Sequence, residues 1–116
     1  MRDFKHLIFW HRSHLLTLKI YHCTKAYFPK EEVYGLISQM RRSCSSIPTN
    51  IAEGSGRSSK PEFKRFLVIS TGSCNELEYQ LLLSKDLGYL TESVFQDLNN
   101  ELTDIRKMIY SYIQTL

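Results

Sequence analysis

The segment FQDLNNELTDIRKMIYSYIQTL, residues 95–116, decides the fold class of this chain. Its apolar residues recur at alternating intervals of three and four positions: Phe95, Leu98, Leu102, Ile105, Ile109, Tyr112 and Leu116. This spacing places them along one side of an α-helix, with the charged residues on the other side. The segment therefore predicts an amphipathic helix that packs lengthwise against other helices.

Three similar segments precede it, so four helices are expected. They are predicted at roughly residues 8–27, 30–54, 60–87 and 92–115. The connections between them are short, and helices joined by short connections pack as antiparallel neighbours. The sequence therefore predicts one all-α domain, an antiparallel up-down-up-down four-helix bundle.

Proline and glycine mark bends and ends of these helices. Pro48 lies inside the second periodic pattern and removes a backbone hydrogen bond, which predicts a kink near Cys44. Gly72 lies in the middle of the third helix, where glycine costs about 1 kcal/mol relative to alanine. We therefore expect a neighbouring backbone to approach Gly72 closely. Gly88 predicts the end of the third helix.

Composition limits the class of protein. The chain has 116 residues and 42% hydrophobic content, which suits one globular domain. No apolar run approaches the roughly 18 residues that a membrane span needs. Three cysteines cannot all pair within one chain, so we expect reduced thiols in a cytoplasmic protein without membrane attachment.

The charge of the chain is unevenly distributed. Residues 1–65 contain 12 Lys or Arg against 5 Asp or Glu, whereas residues 66–116 contain 3 against 7, for a net charge of +3. One interpretation is an anionic partner bound by part of the surface. The other is complementarity between helices, within a subunit or between subunits.

Basic residues surround the predicted turn between the second and third helices. Glycines there free backbone N–H groups, and the following helix N-terminus favours anions. The candidate nucleic-acid-binding residues are Arg41, Arg42, Arg57, Lys60, Lys64 and Arg65. The functional interpretation is a contact with phosphates, and the alternative is an ordinary turn with solvated lysines. Arg41 and Arg42 point about 100° apart, so we expect one to reach a carboxylate and the other to face solvent.

A second set of residues is interpreted as structural. Its members are Pro48, Asn50, Glu53, Gly54, Gly72 and Glu76. Asn50 is expected to make a buried or half-buried hydrogen bond. Glu53 lies at a helix C-terminus, where the dipole disfavours its charge, so we expect an arginine from another helix beside it. Arg57 would serve only if the chain past Gly54 stayed helical.

Enzymatic and metal sites are not predicted. All four histidines lie within the first 22 residues, and no Glu-x-x-His pair of the di-iron bundle type accompanies them. Zinc-protease and serine-hydrolase motifs are also missing from the sequence. We therefore expect a protein without catalytic activity, bound metal or cofactor.

The third helix carries more apolar surface than one core-facing stripe requires. Ile69, Tyr79 and Leu83 lie off its main seam. A second apolar stripe predicts a second partner surface, although a wide core-facing stripe would give the same pattern. We expect a homo-oligomer.

Several motifs resemble a known family. They are FPKEEVYGLISQMRR (28–42), SIPTNIAEG (46–54), GSCNEL (72–77), LGYL (87–90) and Trp10 in the first helix. The chain resembles the four helix bundle protein family, also called 23S rRNA intervening-sequence proteins, over nearly its whole length. The resemblance implies an all-α fold and a ring-shaped homopentamer. It also implies that relatives are encoded within intervening sequences of bacterial 23S rRNA genes.

A related branch of that family serves diversity-generating retroelements as an accessory protein that binds nucleic acid and a reverse transcriptase, and it is more basic than this chain. Residues and resemblance together predict an oligomeric protein that binds RNA or DNA with little sequence preference. The alternative is a scaffold or accessory subunit for a protein partner, without direct nucleic-acid contact.

Overall fold

The computed structural model describes residues 2–116, and the bundle fold is confirmed there. The four helices are α1 (Ile8–Tyr27), α2 (Leu36–Ser55), α3 (Lys60–Asp86) and α4 (Glu92–Ile113). Short 3-10 turns at Phe4–His6 and Lys30–Glu32 precede the first two, and the described part of the chain contains no strand. Each helix packs against its two neighbours, whereas within this part no Cα atom of α1 comes within 8 Å of α3, and none of α2 comes within 8 Å of α4. The diagonal pairs are thus α1 with α3 and α2 with α4.

The core lies along the bundle axis, as the periodicity of α4 predicts. Phe95, Leu98, Leu102, Ile105 and Ile109 are all buried. The last two residues of that seam, at positions 112 and 116, pack against the core and are partly buried. Burial of a whole apolar seam is the main source of stability for a helix of this kind.

Helices α3 and α4 begin, and α3 ends, where their capping residues predict. The Ser59 hydroxyl accepts a hydrogen bond from Glu62 N at 3.3 Å, and the Thr91 hydroxyl accepts one from Val94 N at 3.2 Å. The reciprocal bond of a full capping box at Ser59 does not form among residues 2–116. Gly88 adopts φ +82° and ends α3 in a Schellman motif.

The second helix begins later than predicted. Lys30–Glu32 form one 3-10 turn and α2 starts only at Leu36, so the predicted start at residue 30 is wrong. Gly35 interrupts the chain with φ −114° and ψ −112°. The Glu32 carboxylate accepts hydrogen bonds from Leu36 N at 3.2 Å and from the Tyr89 hydroxyl at 2.9 Å. A Cβ at position 35 would lie 2.8 Å from that carboxylate, so glycine leaves room for this cap.

Pro48 lies inside α2, which continues through it as one helix. Proline has no N–H, so the carbonyl of Cys44 loses its usual intrahelical donor. The Thr17 hydroxyl of α1 donates its one hydrogen to Ser13 O at 2.8 Å and lies 3.4 Å from the Cys44 carbonyl. A polar residue in the α1–α2 contact thus lies beside the carbonyl that the proline leaves without its usual donor, and the size of the kink stays a prediction.

Glycine allows a close helix contact at position 54, whereas position 72 is open. A Cβ at Gly54 would lie 2.6 Å from the Phe66 Cβ and 3.0 Å from the Phe63 ring. A Cβ at Gly72 would meet nothing within 4 Å, and Gly72 is exposed. The expected approach of a neighbouring backbone to Gly72 is therefore wrong within the subunit, and the close α2–α3 contact is at Gly54.

The three cysteines are free and buried, as expected. Burial raises the pKa of Cys23 to about 11 and that of Cys44 and Cys74 to about 12. Thiols with such pKa values stay protonated near neutral pH, and they are therefore poor nucleophiles and poor metal ligands.

Candidate nucleic-acid interface

The turn between α2 and α3 holds Arg57 in a defined position. Its backbone N–H bonds the Gly54 carbonyl at 3.0 Å, so the chain stays close to helical past the glycine. The guanidinium reaches Glu53 at 2.6 Å, four residues back, and lies 4.8 Å from the Phe66 ring centroid. The arginine beside Glu53 is thus Arg57 from the same segment, and the expected partner from another helix is wrong.

The N-terminal segment adds two cations that the sequence did not associate with this turn. Arg2 donates to the Arg57 carbonyl at 3.1 Å, and its guanidinium lies 4.6 Å from the Phe63 ring centroid. Arg2, Gly56, Arg57 and Ser58 line a cleft of about 490 Å³. Lys5 lines the adjacent cleft. A separation of 55 residues along the chain hides this contact from any local pattern.

These cations and those at the start of α3 lie at the same end of the bundle, which we call the basic end. It consists of Arg2, Lys5, Arg57, Lys60, Lys64 and Arg65. The last three are exposed and lie in the first two turns of α3, and none has a carboxylate within 4.0 Å among the described residues. Their charges are consequently free to act on an external anion.

Arg41 and Arg42 lie apart from the basic end. Sixteen residues separate Arg41 from Arg57, which corresponds to about 24 Å along a helix. Arg41 donates to the Thr24 hydroxyl at 2.9 Å and to the Tyr21 carbonyl at 3.2 Å. The Arg42 side chain is 76% exposed, with Glu76 at 4.0 Å. Arg42 thus reaches a carboxylate, as expected of one of the pair, but it also faces solvent, whereas Arg41 is anchored to α1.

The remaining structural candidates connect α2 to α3. The Asn50 amide donates to the carbonyl and hydroxyl of Ser46 at 2.8 and 2.9 Å, and it is half-buried as expected. The Ser46 hydroxyl in turn lies 2.9 Å from that of Ser73 on α3. Glu76 accepts a bond from the amide of Gln80, which is buried against α2. These contacts place Asn50 at the α2–α3 contact, whereas Glu76 is exposed and lies at its edge.

The histidines of α1 and of the preceding turn are exposed at positions 6, 11, 14 and 22. The His14 ring stacks on Trp10 with centroids 5.4 Å apart and planes 5° apart. Among residues 2–116, no three His, Cys, Asp or Glu side chains are grouped so as to hold a metal ion. No helix of the same region is long and apolar enough to cross a bilayer.

The uneven charge of the sequence becomes a difference between two sides of the bundle. Helices α1 and α2 carry five Lys or Arg against one Glu, while α3 and α4 carry six against eight Asp or Glu. Part of this is complementarity within the subunit, because Arg12 of α1 lies 3.4 Å from both Glu101 and Asp104 of α4. The charge asymmetry thus partly reflects complementarity between helices, and the cations of the basic end that are unpaired among the described residues are consistent with an anionic partner.

Two apolar stripes remain on the surface. The α3 stripe consists of Val68, Ile69, Gly72, Tyr79 and Leu82, and its most exposed large side chain, Tyr79, is 63% exposed. The α1 stripe consists of Ile8, Leu15 and Leu18. Because α1 and α3 are diagonal in the bundle, the two stripes lie on opposite sides of the subunit.

Comparison with known proteins identifies relatives of the whole domain. The family model described as 23S rRNA-intervening sequence protein matches residues 5–111. The chain is similar to a solved structure of a protein with unknown function from the S23 ribosomal protein family of Bacteroides thetaiotaomicron VPI-5482. The identity is 28% and the TM-score 0.85, over 91% of this chain and 98% of that chain. No curated protein matches the sequence.

Proposed function

Because the chain belongs to the 23S rRNA-intervening sequence protein family, we propose that it is a non-enzymatic, oligomeric protein of the cytoplasm that binds RNA or DNA with little sequence preference. The observation that carries the proposal is the basic end. Six cations lie at one end of the bundle, and Lys60, Lys64 and Arg65 are exposed without a carboxylate partner in the described structure. Lysine and arginine side chains bind phosphates irrespective of sequence.

The oligomer rests on the two apolar stripes. A contact between the α3 stripe of one copy and the α1 stripe of the next joins two different surfaces, and such heterologous contacts close into rings or extend as filaments. Gly72 lies in the α3 stripe with open space above it, which leaves room for close approach of another chain. The family resemblance implies a ring of five.

Repetition makes a weakly charged chain an effective binder. One subunit has a net charge of only +3. A ring brings several basic ends onto one assembly, so that a nucleic acid bound at one subunit meets the next at high effective concentration. The proposed affinity therefore depends on assembly as well as on the basic residues.

The salt dependence of binding tests the basic end. Fluorescence anisotropy with a labelled RNA should show that the logarithm of the binding constant falls linearly with the logarithm of salt concentration. In Lys60→Gln/Lys64→Gln, the magnitude of the slope of this log–log plot should decrease by about 0.7–0.9 for each phosphate that the variant no longer neutralises. A matched control, Lys19→Gln/Lys107→Gln, removes two exposed lysines elsewhere and should bind almost as well as the parent. Equal weakening in both variants, or binding indifferent to salt, would refute the role of the basic end.

Light scattering tests the assembly. The parent should scatter as a multimer at micromolar concentration, and Tyr79→Glu in the α3 stripe should give smaller species. Tyr110→Glu, at an exposed tyrosine outside both stripes, should leave the mass unchanged. A parent that scatters as a single subunit would remove the ring and the multivalent binding that depends on it.

A scaffold for a protein partner is the second candidate, and a surface at the other end of the bundle favours it. Tyr34 is 95% exposed there, beside Val33 in the same connection, and Leu87 at the end of α3 is also exposed. Exposed apolar groups of this kind are enriched at protein contacts. A pull-down from nuclease-treated lysate that captures a partner with the parent, but not with Tyr34→Ser, would support this candidate.

A further inference from the structure

The outer edge of the α1–α2 contact combines stacked rings with an excess of positive charge. It runs between α1 and α2 and carries Trp10, His14, Tyr21 and Arg41, which we call the aromatic strip. In α1 the strip continues a row of positions spaced three or four apart that includes Thr17 and Thr24. Both threonines contact α2, so the strip lies along the outer edge of the α1–α2 contact.

Each end of the strip presents a planar group to solvent. His14 is exposed and lies parallel to the Trp10 ring beneath it. The Arg41 guanidinium lies 4.6 Å from the Tyr21 ring centroid and is held by its two hydrogen bonds to α1. Imidazole, indole and guanidinium planes are the surfaces on which unpaired bases stack in proteins. The rings are already oriented, so a base that stacks there loses little further side-chain entropy.

The charge around the strip suits a phosphate backbone. Helix α1 contains no Asp or Glu, and α2 contains none before Glu53. Arg41 has no carboxylate within 4.0 Å among residues 2–116. At one end of the strip Phe4 packs against Trp10 at 4.9 Å, which connects the strip to the basic end. At the other end a hollow is lined by Arg41, Lys25 and Lys30.

We propose that a single strand of RNA or DNA lies along the aromatic strip, with bases stacked on His14 and on the Arg41–Tyr21 pair and with its backbone continuing onto the basic end. This proposal rests on the nucleic-acid binding proposed above and names the form that is bound. From Trp10 to Tyr21 the strip extends about 17 Å along the helix axis, which is the length of a few nucleotides. A duplex keeps its base faces covered by its own stacking, so the strip selects against it.

Binding and fluorescence together test the strip. Trp10 is the one tryptophan of the chain, so its emission reports on the strip. An oligo(dT) should quench this emission and bind at least tenfold more tightly than a blunt duplex of the same length. The variant His14→Ala/Tyr21→Ala should lose about tenfold or more of the affinity for oligo(dT), because each stacked base contributes substantially to binding.

The control is His22→Ala/Tyr110→Ala, which makes the same chemical changes away from the strip. Its tyrosine is 46% exposed, close to the 44% of Tyr21, and His22 is exposed like His14. The control should bind oligo(dT) as the parent does. Circular dichroism of both variants should show unchanged helix content.

The possible results separate the two proposals. Equal binding of single strand and duplex without quenching of Trp10, or equal affinity of the two double variants, overturns the aromatic strip. If Lys60→Gln/Lys64→Gln still weakens binding in that case, the basic end stands. If neither nucleic acid binds at low salt, both proposals fail.

Discussion

The contact between α2 and α3 at Gly54 permits a quantitative test. In Gly54→Ala the new methyl group would lie 2.6 Å from the Phe66 Cβ and 3.0 Å from the Phe63 ring. The Phe66 Cβ is attached directly to the backbone, so rotation of the side chain cannot relieve the overlap. The helices must separate by several tenths of an ångström along a well-packed contact, which disturbs the fully buried Phe63.

The expected net effect is destabilisation. Overpacking of a core contact costs about 1–3 kcal/mol, and the better helix propensity of alanine offsets up to about 1 kcal/mol of it. We therefore expect Gly54→Ala to lower the free energy of unfolding by about 1–2 kcal/mol. Gly72→Ala is the matched control, because its methyl group would meet nothing within 4 Å. It should raise the free energy of unfolding by about 0.5–1 kcal/mol.

Urea unfolding followed by circular dichroism measures both variants, with all proteins at the same concentration because association contributes to apparent stability. A Gly54→Ala protein as stable as the parent would refute the inference that α2 and α3 approach too closely for a side chain. Unfolding of Gly72→Ala at low and at high protein concentration separates two causes of any destabilisation: a lost contact between copies and a clash within the subunit. Destabilisation confined to high concentration belongs to a contact between copies, whereas destabilisation at both concentrations contradicts the open environment of Gly72.

Three further predictions concern stability. Arg106→Gln removes paired hydrogen bonds at 3.0 and 3.2 Å to Glu78, whose side chain is 44% exposed. The free energy of unfolding, measured in urea, should decrease by only about 1 kcal/mol because solvent screens the pair. No decrease would show that the pair contributes nothing to stability. Burial raises the pKa of Cys44 from 9.0 to about 12, so the unfolded thiol ionises first, and Cys44 alone should lower the free energy of unfolding above about pH 9 by up to about 1.4 kcal/mol per pH unit. Cys44→Ala, compared with the parent at about pH 8 and about pH 10, should reduce that decline, and an unchanged decline contradicts the assignment. Thr91→Ala removes the N-cap bond to Val94 N and should cost about 1 kcal/mol, whereas an unchanged unfolding midpoint would show that water replaces the cap.

The aromatic strip and the basic end illustrate what a single sequence conceals. Lys60, Lys64 and Arg65 were recognisable as candidates because they surround one turn. Arg2 was not, because it lies 55 residues from Arg57 in the sequence and reaches that turn only in the folded chain. The sequence could not assign the roles of Arg41 and Arg42 either, because their partners Thr24 and Glu76 lie on other helices.

The sequence alone determined the number, the faces and most of the ends of the helices, because each of these depends on residues three or four positions apart. The seam of α4, the Thr91 cap and the Gly88 stop are local features of this kind. The tertiary structure decided where α2 begins, since its cap at Glu32 is completed by a tyrosine 57 residues away. It also decided which cations share a surface, because that depends on which helices are neighbours and in what register they pack.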